Sequence, residues 1–238
     1  SDKVYREPAQ PCREDDPLGG RDPYSASKAA AELAVETYRC CYLTASDGVG
    51  VASARAGNVI GGGDLSPHRL VPDLVRAVAA GRPPRLRHPN HLRPWQHVLD
   101  AVRGYVLLAQ AAATAPARFS GAWNFGPSAS EGYTVARLAE TFLAAFTAVA
   151  GWQVSASAST IEIETQRLSV AKAERLLGWQ ALLPLAEAVV WTAEGYRHLL
   201  AGDDDAWIER QIVEHCARAA RGSVKRADSF WETAYALA

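Results

Sequence analysis

The sequence predicts an α/β fold, because segments with strand character alternate with segments of helical periodicity. Residues 49–54 form a short run of β-branched and small apolar side chains, which is typical of a buried parallel strand. Helical patterns flank this run. One covers residues 22–42 and begins with an Asp-Pro pair suited to a helix N-terminus, and the other covers residues 70–80 with Gly81 as its stop.

The same alternation continues to about residue 200. Residues 55–64 are expected to form a glycine-rich loop, and residues beyond 203 a helical tail. The remaining expected elements are a helix at 98–113, a strand at 122–126, a helix at 134–149, a strand marked by Ile161 and Ile163, a short helix from its cap Ser169 to Gly178, and a helix at 185–200.

Composition excludes several classes of protein. Of the 238 residues, 48% are hydrophobic and 21% are charged, and the formal net charge is −1. We therefore expect neither a nucleic acid nor a membrane surface as a partner. No apolar run reaches the roughly 18 residues that a spanning helix needs, and no signal-peptide pattern is present. The cytoplasm is the expected compartment.

The cysteines and histidines show no metal-ligand spacing, so no metal site is expected. The adjacent Cys40 and Cys41 are expected to be buried free thiols on a helix. The chain contains no methionine and opens on Ser1-Asp2-Lys3. We therefore expect it to be a fragment, a processed product or a trimmed form of a longer protein.

Tyr24 and Lys28 form the strongest local signal for chemistry. Positions i and i+4 share one face of a helix, so the phenol and the ammonium can point into one site. A nearby ammonium favours the phenolate, which makes Tyr24 a candidate base for a sugar hydroxyl. A Tyr-x-x-x-Lys pattern alone is frequent by chance, and an exposed helical pair is the simpler interpretation of an isolated match.

Further segments occur in a fixed order around this pair. They are Ser-Asp-Lys at 1–3, Tyr-Ser-Ala-Ser-Lys at 24–28, Arg-Ala-Gly-Asn-Val-Ile-Gly-Gly-Gly-Asp at 55–64, Arg-Pro-Trp-Gln-His-Val at 93–98, Trp-Asn-Phe-Gly-Pro at 123–127, and residues 172–179. Together they resemble the extended short-chain dehydrogenases of the NAD-dependent epimerase/dehydratase type, and among these the CDP-glucose 4,6-dehydratases. The resemblance covers about residues 1–200.

The resemblance implies NAD as cofactor and a nucleotide-activated hexose as substrate. Tyr24, with Lys28 beside it at the cofactor, would deprotonate the sugar 4-hydroxyl while hydride passes to NAD⁺. Ser1 would hydrogen-bond that hydroxyl, and Asp2 would protonate the departing 6-hydroxyl, which requires a raised pKa. Lys3 stands where dTDP-glucose dehydratases carry a glutamate base, and its role stays open because only a neutral lysine could act as a base.

The resemblance also implies substrate-binding residues. Asn58 would contact the pyrophosphate, and Arg93 would clamp the diphosphate with its fork of donors. Residues 61–63 are glycines that permit close backbone approach. Arg69 and Arg167, like Arg87, are weaker candidates for anion contacts. His97 is expected to be a packed histidine at a helix start, and Glu162 and Glu164 to lie on the solvent face of a strand.

The resemblance implies the C-terminal part of a Rossmann-like parallel sheet plus a smaller α/β substrate-binding region. Residues 1–65 would be the remnant of a dinucleotide-binding domain with the Tyr/Lys helix, 66–202 the sugar-nucleotide region, and 203–238 a helical tail of open role. The dinucleotide fingerprint Gly-x-Gly-x-x-Gly is absent from the sequence, so activity is expected to require a missing N-terminal half. A nucleotide-sugar epimerase and a non-catalytic binding or assembly module remain alternatives, and a homodimer or higher oligomer is expected.

Overall fold

The computed structural model describes residues 1–6, 11–43, 47–127, 133–146, 151–155 and 163–223. A 3₁₀ turn spans Asp2–Val4. The helices are α1 (Pro23–Cys41), α2 (Leu70–Ala79), α3 (Val98–Thr114), α4 (Pro116–Phe119), α5 (Val135–Phe146), α6 (Ala171–Leu177), α7 (Leu185–Ala201) and α8 (Ala206–Ser223). The strands are β1 (Ala52–Ala56), β2 (Asn58–Ile60), β3 (Arg85–Leu86), β4 (Leu92–Arg93), β5 (Trp95–His97), β6 (Gly121–Phe125), β7 (Tyr133–Thr134) and β8 (Gln153–Val154).

The strands pair mainly in parallel, as the alternation of strands and helices predicted. β1 pairs with β6 in a register from Ala52 opposite Gly121 to Ala56 opposite Phe125. β2 pairs in parallel with β5, and β3 with β8. β4 and β7 are antiparallel. The predicted α/β class is confirmed.

Two apolar clusters hold the helices on these strands. The larger one joins α2, α5 and α7 to β2 and β5, and its fully buried members include Leu74, Phe142 and Tyr196. The smaller one joins α3 and α6 to β6 through Phe125 and Trp179. Their rings pack edge to face, with 5.0 Å between the ring centroids. Aromatic packing of this kind adds to the burial energy of each ring. The two clusters fix the strands from which the site residues project.

The helix predictions are confirmed within a few residues, and so is the strand predicted at 122–126, which occupies Gly121–Phe125. The other strand predictions differ from the observed strands. The strand predicted at 49–54 occupies Ala52–Ala56, because its bounds follow its pairing with β6. The loop predicted at 55–64 contains the rest of that strand and all of β2, whose partner β5 lies more than thirty positions downstream. The pattern within a single segment carries no signal for such distant pairing. The helix predicted to reach 149 is described only to Phe146.

Three local predictions were wrong. Ile163 lies outside any strand, and its carbonyl accepts a hydrogen bond from the Arg93 guanidinium; Ile161 and Glu162 lie outside the described residues. Ser169 does not cap α6, which follows Val170 without a side-chain capping bond. Cys40 and Cys41 are exposed, because the residues of α1 that are buried, Ser25 and Ala29, belong to its first turns. Gly178 ends α6 in the left-handed region, as predicted.

None of the helices within the described ranges is both long enough and apolar enough to cross a membrane.

Candidate active site

A large open cleft lies between the N-terminal segment, α1 and the loops that follow β2 and β3. Its volume is about 1460 Å³, which exceeds the range of about 300–1,000 Å³ that is usual for small-molecule sites. The cleft is lined by Ser1, Asp2, Lys3, Tyr24, Asn58, Arg69 and Arg93, with further residues from the glycine loop and from α2. With Arg87, which also lines the cleft, eight of the ten side chains selected from the sequence therefore meet at one cavity. Lys28 and Arg167 are not among its lining residues.

The first residues of the chain are packed against the body of the protein. Lys3 N donates to Ser1 Oγ at 3.2 Å, and the Asp2 and Val4 side chains are buried. The Asp2 carboxylate atom Oδ2 is buried and makes no hydrogen bond within the described residues. Burial raises the pKa of Asp2, while the positive charges of Lys3 and Arg93 oppose that rise. A carboxyl with a raised pKa can carry the proton that a general acid needs.

Gln166 fixes the Asp2–Lys3 pair from a position more than 160 residues further along the chain, and sequence reasoning did not find it. Its side chain is fully buried. Gln166 Nε2 donates to the backbone carbonyl of Asp2 at 2.6 Å, and Lys3 Nζ donates to Gln166 Oε1. A single glutamine within an unremarkable loop gives no motif, so no signal in the sequence marks it.

The Tyr24 and Lys28 side chains lie together on the first turns of α1. Asp22 caps the helix: its Oδ1 accepts from the backbone N–H groups of Tyr24 and Ser25, each at 3.0 Å. The Ser25 hydroxyl also donates to the Asp22 carboxylate. This bond, and to a lesser extent the two backbone bonds, holds the pKa of Asp22 below its usual value. Lys28 Nζ lies 5.6 Å from the centroid of the Tyr24 ring. The Tyr24 ring faces the cleft and is 46% exposed within the described residues.

Asn58 and Arg93 lie in the wall of the cleft. Asn58 is at the start of β2, and its Oδ1 is buried without a hydrogen-bond partner within the described residues. Arg93 is buried, and its Nη1 donates to the carbonyls of Ile163 at 2.8 Å and Glu164 at 3.2 Å. The Arg93 guanidinium therefore anchors the segment that precedes Gln166 as well as facing the cleft.

Several arginines with exposed side chains surround the mouth of the cleft. Arg69 precedes α2 and Arg87 follows β3, and the structure adds Arg21 and Arg85, which the sequence analysis did not select. Guanidinium groups gathered at one cavity suit a doubly charged diphosphate. Arg167 is exposed and is not among the residues that line the cleft, so the structure does not bring it to the other predicted anion contacts.

His97 lies outside the cleft and has a structural environment. It is the N-cap of α3, where its Nδ1 accepts from Leu99 N at 3.3 Å. Burial lowers the pKa of His97 to about 4, and the nearby Asp100 charge only partly offsets this effect. The prediction of a packed helix-start histidine agrees with this placement.

The arrangement offers a phenol beside an ammonium, a buried carboxyl whose pKa is raised by burial, and cationic groups around an open cavity. These groups suit proton removal from one hydroxyl and proton delivery to another on a ligand that carries a diphosphate. For NAD, the Tyr24–Lys28 pair would lie at the reactive end of the cofactor. Both side chains are exposed on the first turns of α1, and Tyr24, though not Lys28, lines the cleft. The sequence contains no Gly-x-Gly-x-x-Gly turn for its pyrophosphate.

The fold and the cleft define a Rossmann-like α/β protein of the short-chain dehydrogenase/reductase class. The model of the NAD dependent epimerase/dehydratase family matches residues 1–126. The chain belongs to this family, which confirms the resemblance of its ordered segments. NAD, the predicted cofactor, is the cofactor named in the family's description.

One curated relative and two solved structures extend this result. The CDP-glucose 4,6-dehydratase of Salmonella typhimurium is 37% identical over 210 residues, which cover 86% of this chain and 58% of that protein. MoeE5 in complex with UDP-glucose and NAD is 26% identical, with a TM-score of 0.70, over 84% of this chain and 64% of that one.

The dTDP-glucose 4,6-dehydratase of Bacillus anthracis, solved with NAD, has a TM-score of 0.66 over 87% of this chain and 61% of that one. At 19% identity this likeness concerns the fold alone. The chain thus spans less than two thirds of the length of each of these three proteins.

Proposed function

We propose that the protein containing this chain is an NAD-dependent sugar-nucleotide 4,6-dehydratase that converts CDP-glucose to CDP-4-keto-6-deoxyglucose. The observation that carries the proposal is the placement of Asp2 beside the cleft that Tyr24 also lines. Its carboxyl is buried, and burial raises its pKa. Dehydration requires an acid for the departing 6-hydroxyl, whereas a 4-epimerase has no use for one. The 37% identity to a CDP-glucose 4,6-dehydratase supports the choice of substrate.

In this proposal Tyr24 takes the proton of the sugar 4-hydroxyl, and Ser1 holds that hydroxyl by a hydrogen bond. NAD⁺, when bound, would accept the C4 hydride and supply it again at C6. C5 would regain a proton as C6 takes the hydride, so the net change is the loss of one water. The 4-ketone acidifies the C5 proton, and Asp2 protonates the 6-hydroxyl as it leaves. Lys3, held by Gln166, lies next to Asp2, and its part in removing the C5 proton stays open.

Asn58 and Arg93 would hold the diphosphate, with Arg69 at the mouth of the cleft. The unpartnered Asn58 Oδ1 supports a ligand contact at this wall of the cleft, because buried polar atoms usually have a partner. An oxygen acceptor would suit a hydroxyl or amino donor of the ligand, while the Asn58 amide nitrogen suits a phosphate oxygen. Arg167 would contribute only to ligand parts that extend beyond the cleft.

We also propose that residues 1–65 complete a dinucleotide-binding domain, that residues 66–202 mainly bind the nucleotide sugar, and that the protein forms a homodimer. Large apolar side chains are exposed along α1 and α3, which supports an interface there. On α1 they include Leu33, Val35 and Tyr38, with Tyr42 directly after its end, and on α3 they include Val102 and Val106.

The test uses the protein expressed from its complete open reading frame, incubated with CDP-glucose and NAD⁺. We expect a 4-keto-6-deoxy product, which is measured by its absorbance in alkali. Tyr24→Phe should lower turnover by about 10²–10⁴-fold, the usual contribution of one general base. Tyr38→Phe, a change of the same kind on the exposed face of α1, should leave turnover within about twofold of the wild type.

Three results would contradict the proposal. A 4-epimer without water loss would favour the epimerase alternative, and full turnover by Tyr24→Phe would remove Tyr24 as the base. Absence of any product with CDP-, UDP- or dTDP-glucose would favour a non-catalytic binding or assembly module.

The variant Asp2→Asn should separate the oxidation step from the elimination step. It should spare oxidation at C4 but slow elimination at C6.

A further inference from the structure

The tail helix α8 is fixed to the body of the protein by buried polar contacts. His215 Nε2 lies 2.9 Å from Asp100 Oδ1, and both side chains are buried. Gln211 Nε2 donates to the carbonyl of Trp191 on α7 at 3.1 Å. A shift of α8 would leave these groups unpaired in the interior, which is costly. α8 is therefore held in one position against α7 and α3.

The first turn of α8 places Trp207 directly behind the glycine loop of the cleft, at a point where backbone and ring are in close contact. A Cβ atom added at Gly62 would lie 2.6 Å from Gly195 Cα and 2.9 Å from Trp207 Cη2. A Cβ atom added at Gly195 would lie 2.7 Å both from Gly62 Cα and from the Trp207 ring. Only glycine fits at both positions, so α7 and Trp207 together form the rear support of the loop.

The front of the same loop lines the cleft. Gly61, Gly62 and Asp64 all face it. Behind them, the Tyr196 hydroxyl of α7 donates to the Asp64 carbonyl at 2.7 Å. The loop continues directly from β2, which carries Asn58. Any movement of the loop therefore changes the shape of the cleft next to Asn58, which is proposed to bind the diphosphate.

We propose that Trp207 is a positioning residue, through which α8 holds the glycine loop in the conformation that receives the diphosphate-sugar part of the substrate. This inference rests on the proposed function, since it concerns the same cleft. Trp207 does not line the cleft, so it acts through Gly62 rather than by touching the ligand. Loss of the ring should therefore lower affinity for the substrate more than it lowers the rate of the bound complex.

The experiment compares Trp207→Ala, Trp207→Phe and Ile212→Ala in the protein expressed from its complete open reading frame. Ile212 lies on α8 with 42% of its surface exposed and serves as the matched control. CDP-glucose binding is measured by calorimetry at a temperature where each variant is folded, and KM and kcat are measured separately. We expect Trp207→Ala to raise Kd and KM about tenfold with kcat within about threefold. Trp207→Phe and Ile212→Ala should stay within about twofold of the wild type.

A second readout covers the case in which Trp207→Ala does not fold. Trp207 is 7% exposed and contacts a residue of the cleft wall. Binding of CDP-glucose should therefore change the fluorescence of Trp207. The change in total tryptophan fluorescence should be larger in the wild type than in Trp207→Phe. Equal fluorescence changes in the two proteins, or an unchanged Kd in a folded Trp207→Ala, would overturn the inference. Failure of the wild type to bind CDP-, UDP- or dTDP-glucose would instead remove the proposed function, and the inference with it.

Discussion

At the scale of single residues, Gln166 joins the first residues of the chain to a segment 164 positions further along. It bonds the Asp2 carbonyl and the Lys3 ammonium at once. Its own position is fixed by the bridge between Leu92 and Thr165 and by the backbone bond from Gln166 N to the Leu92 carbonyl. One amide thus sets the relative positions of the proposed acid and its basic neighbour.

Replacing Gln166 tests this role. Gln166→Leu removes the acceptor for Lys3 and the donor to Asp2, so we expect kcat to fall by about 100-fold, the cost of a misplaced catalytic group. Gln166→Glu keeps the acceptor for Lys3, so its kcat should fall less than that of Gln166→Leu. Gln180→Leu at an exposed position is the control. A kcat within twofold of the wild type in folded Gln166→Leu would show that the amide does not position the pair.

His97 predicts a pH dependence of stability. Its pKa is lowered to about 4 by burial, against an ordinary value of 6.5. As the pH falls below 6.5, the unfolded chain takes up the proton before the native protein does. His97 therefore contributes about 3 kcal/mol to the free energy of unfolding. This contribution is fully present above pH 6.5 and is lost as the pH falls through 4.

The measurement is the free energy of unfolding in urea between pH 4 and pH 7. His97→Asn keeps an acceptor at the N-cap of α3 and cannot titrate in this range. Its stability should therefore depend less on pH than that of the wild type. Parallel curves of unfolding free energy against pH for the wild type and His97→Asn would contradict the lowered pKa of His97.

At the scale of elements, the helices were predictable and the short strands were not. α2 and α7 carry apolar side chains at helical spacing and are followed by Gly81 and Gly202, both with positive φ. Local chemistry therefore sets their limits. β2 to β5 are two or three residues long and exist through partners elsewhere in the chain. The same distinction applies to the site: Tyr24 and Lys28 follow a local spacing, whereas Gln166 is brought in by tertiary contacts alone.

Asp100 on α3 shows how elements depend on one buried carboxylate. It accepts hydrogen bonds from Leu182 N at 2.8 Å and Leu183 N at 3.2 Å, in addition to its contact with His215. Asp100→Ala would leave these groups unpaired in the interior, so we expect a loss of about 3–5 kcal/mol of stability. Urea denaturation measures this loss.

The matched control is Asp73→Ala. The Asp73 carboxylate pairs with Arg76 on the surface of α2, and both side chains are about half exposed. Such pairs contribute about 0–1 kcal/mol. Losses of equal size in the two variants would mean that the Asp100 network does not hold α8 and the 182–183 segment to α3.

At the scale of the whole molecule, the exposed apolar faces of α1 and α3 predict association. If they form the dimer interface, Tyr38→Asp and Val106→Asp should each shift the protein toward the monomer in sedimentation velocity, because a charge would be buried at the interface. Leu200→Asp, at an exposed position near the end of α7, should leave the distribution unchanged. A monomeric wild type would contradict the proposal.

The bond between Gln166 and Asp2 has a consequence for biosynthesis. Its partners are 164 positions apart, and the partners of the β1–β6 pair are also far apart along the chain. Contacts between distant positions form late, because the intervening chain must first be ordered. At translation rates of about 5–20 residues per second, Gln166 is synthesised roughly 8–33 s after Ser1, Asp2 and Lys3. That segment can acquire its final geometry only after this interval.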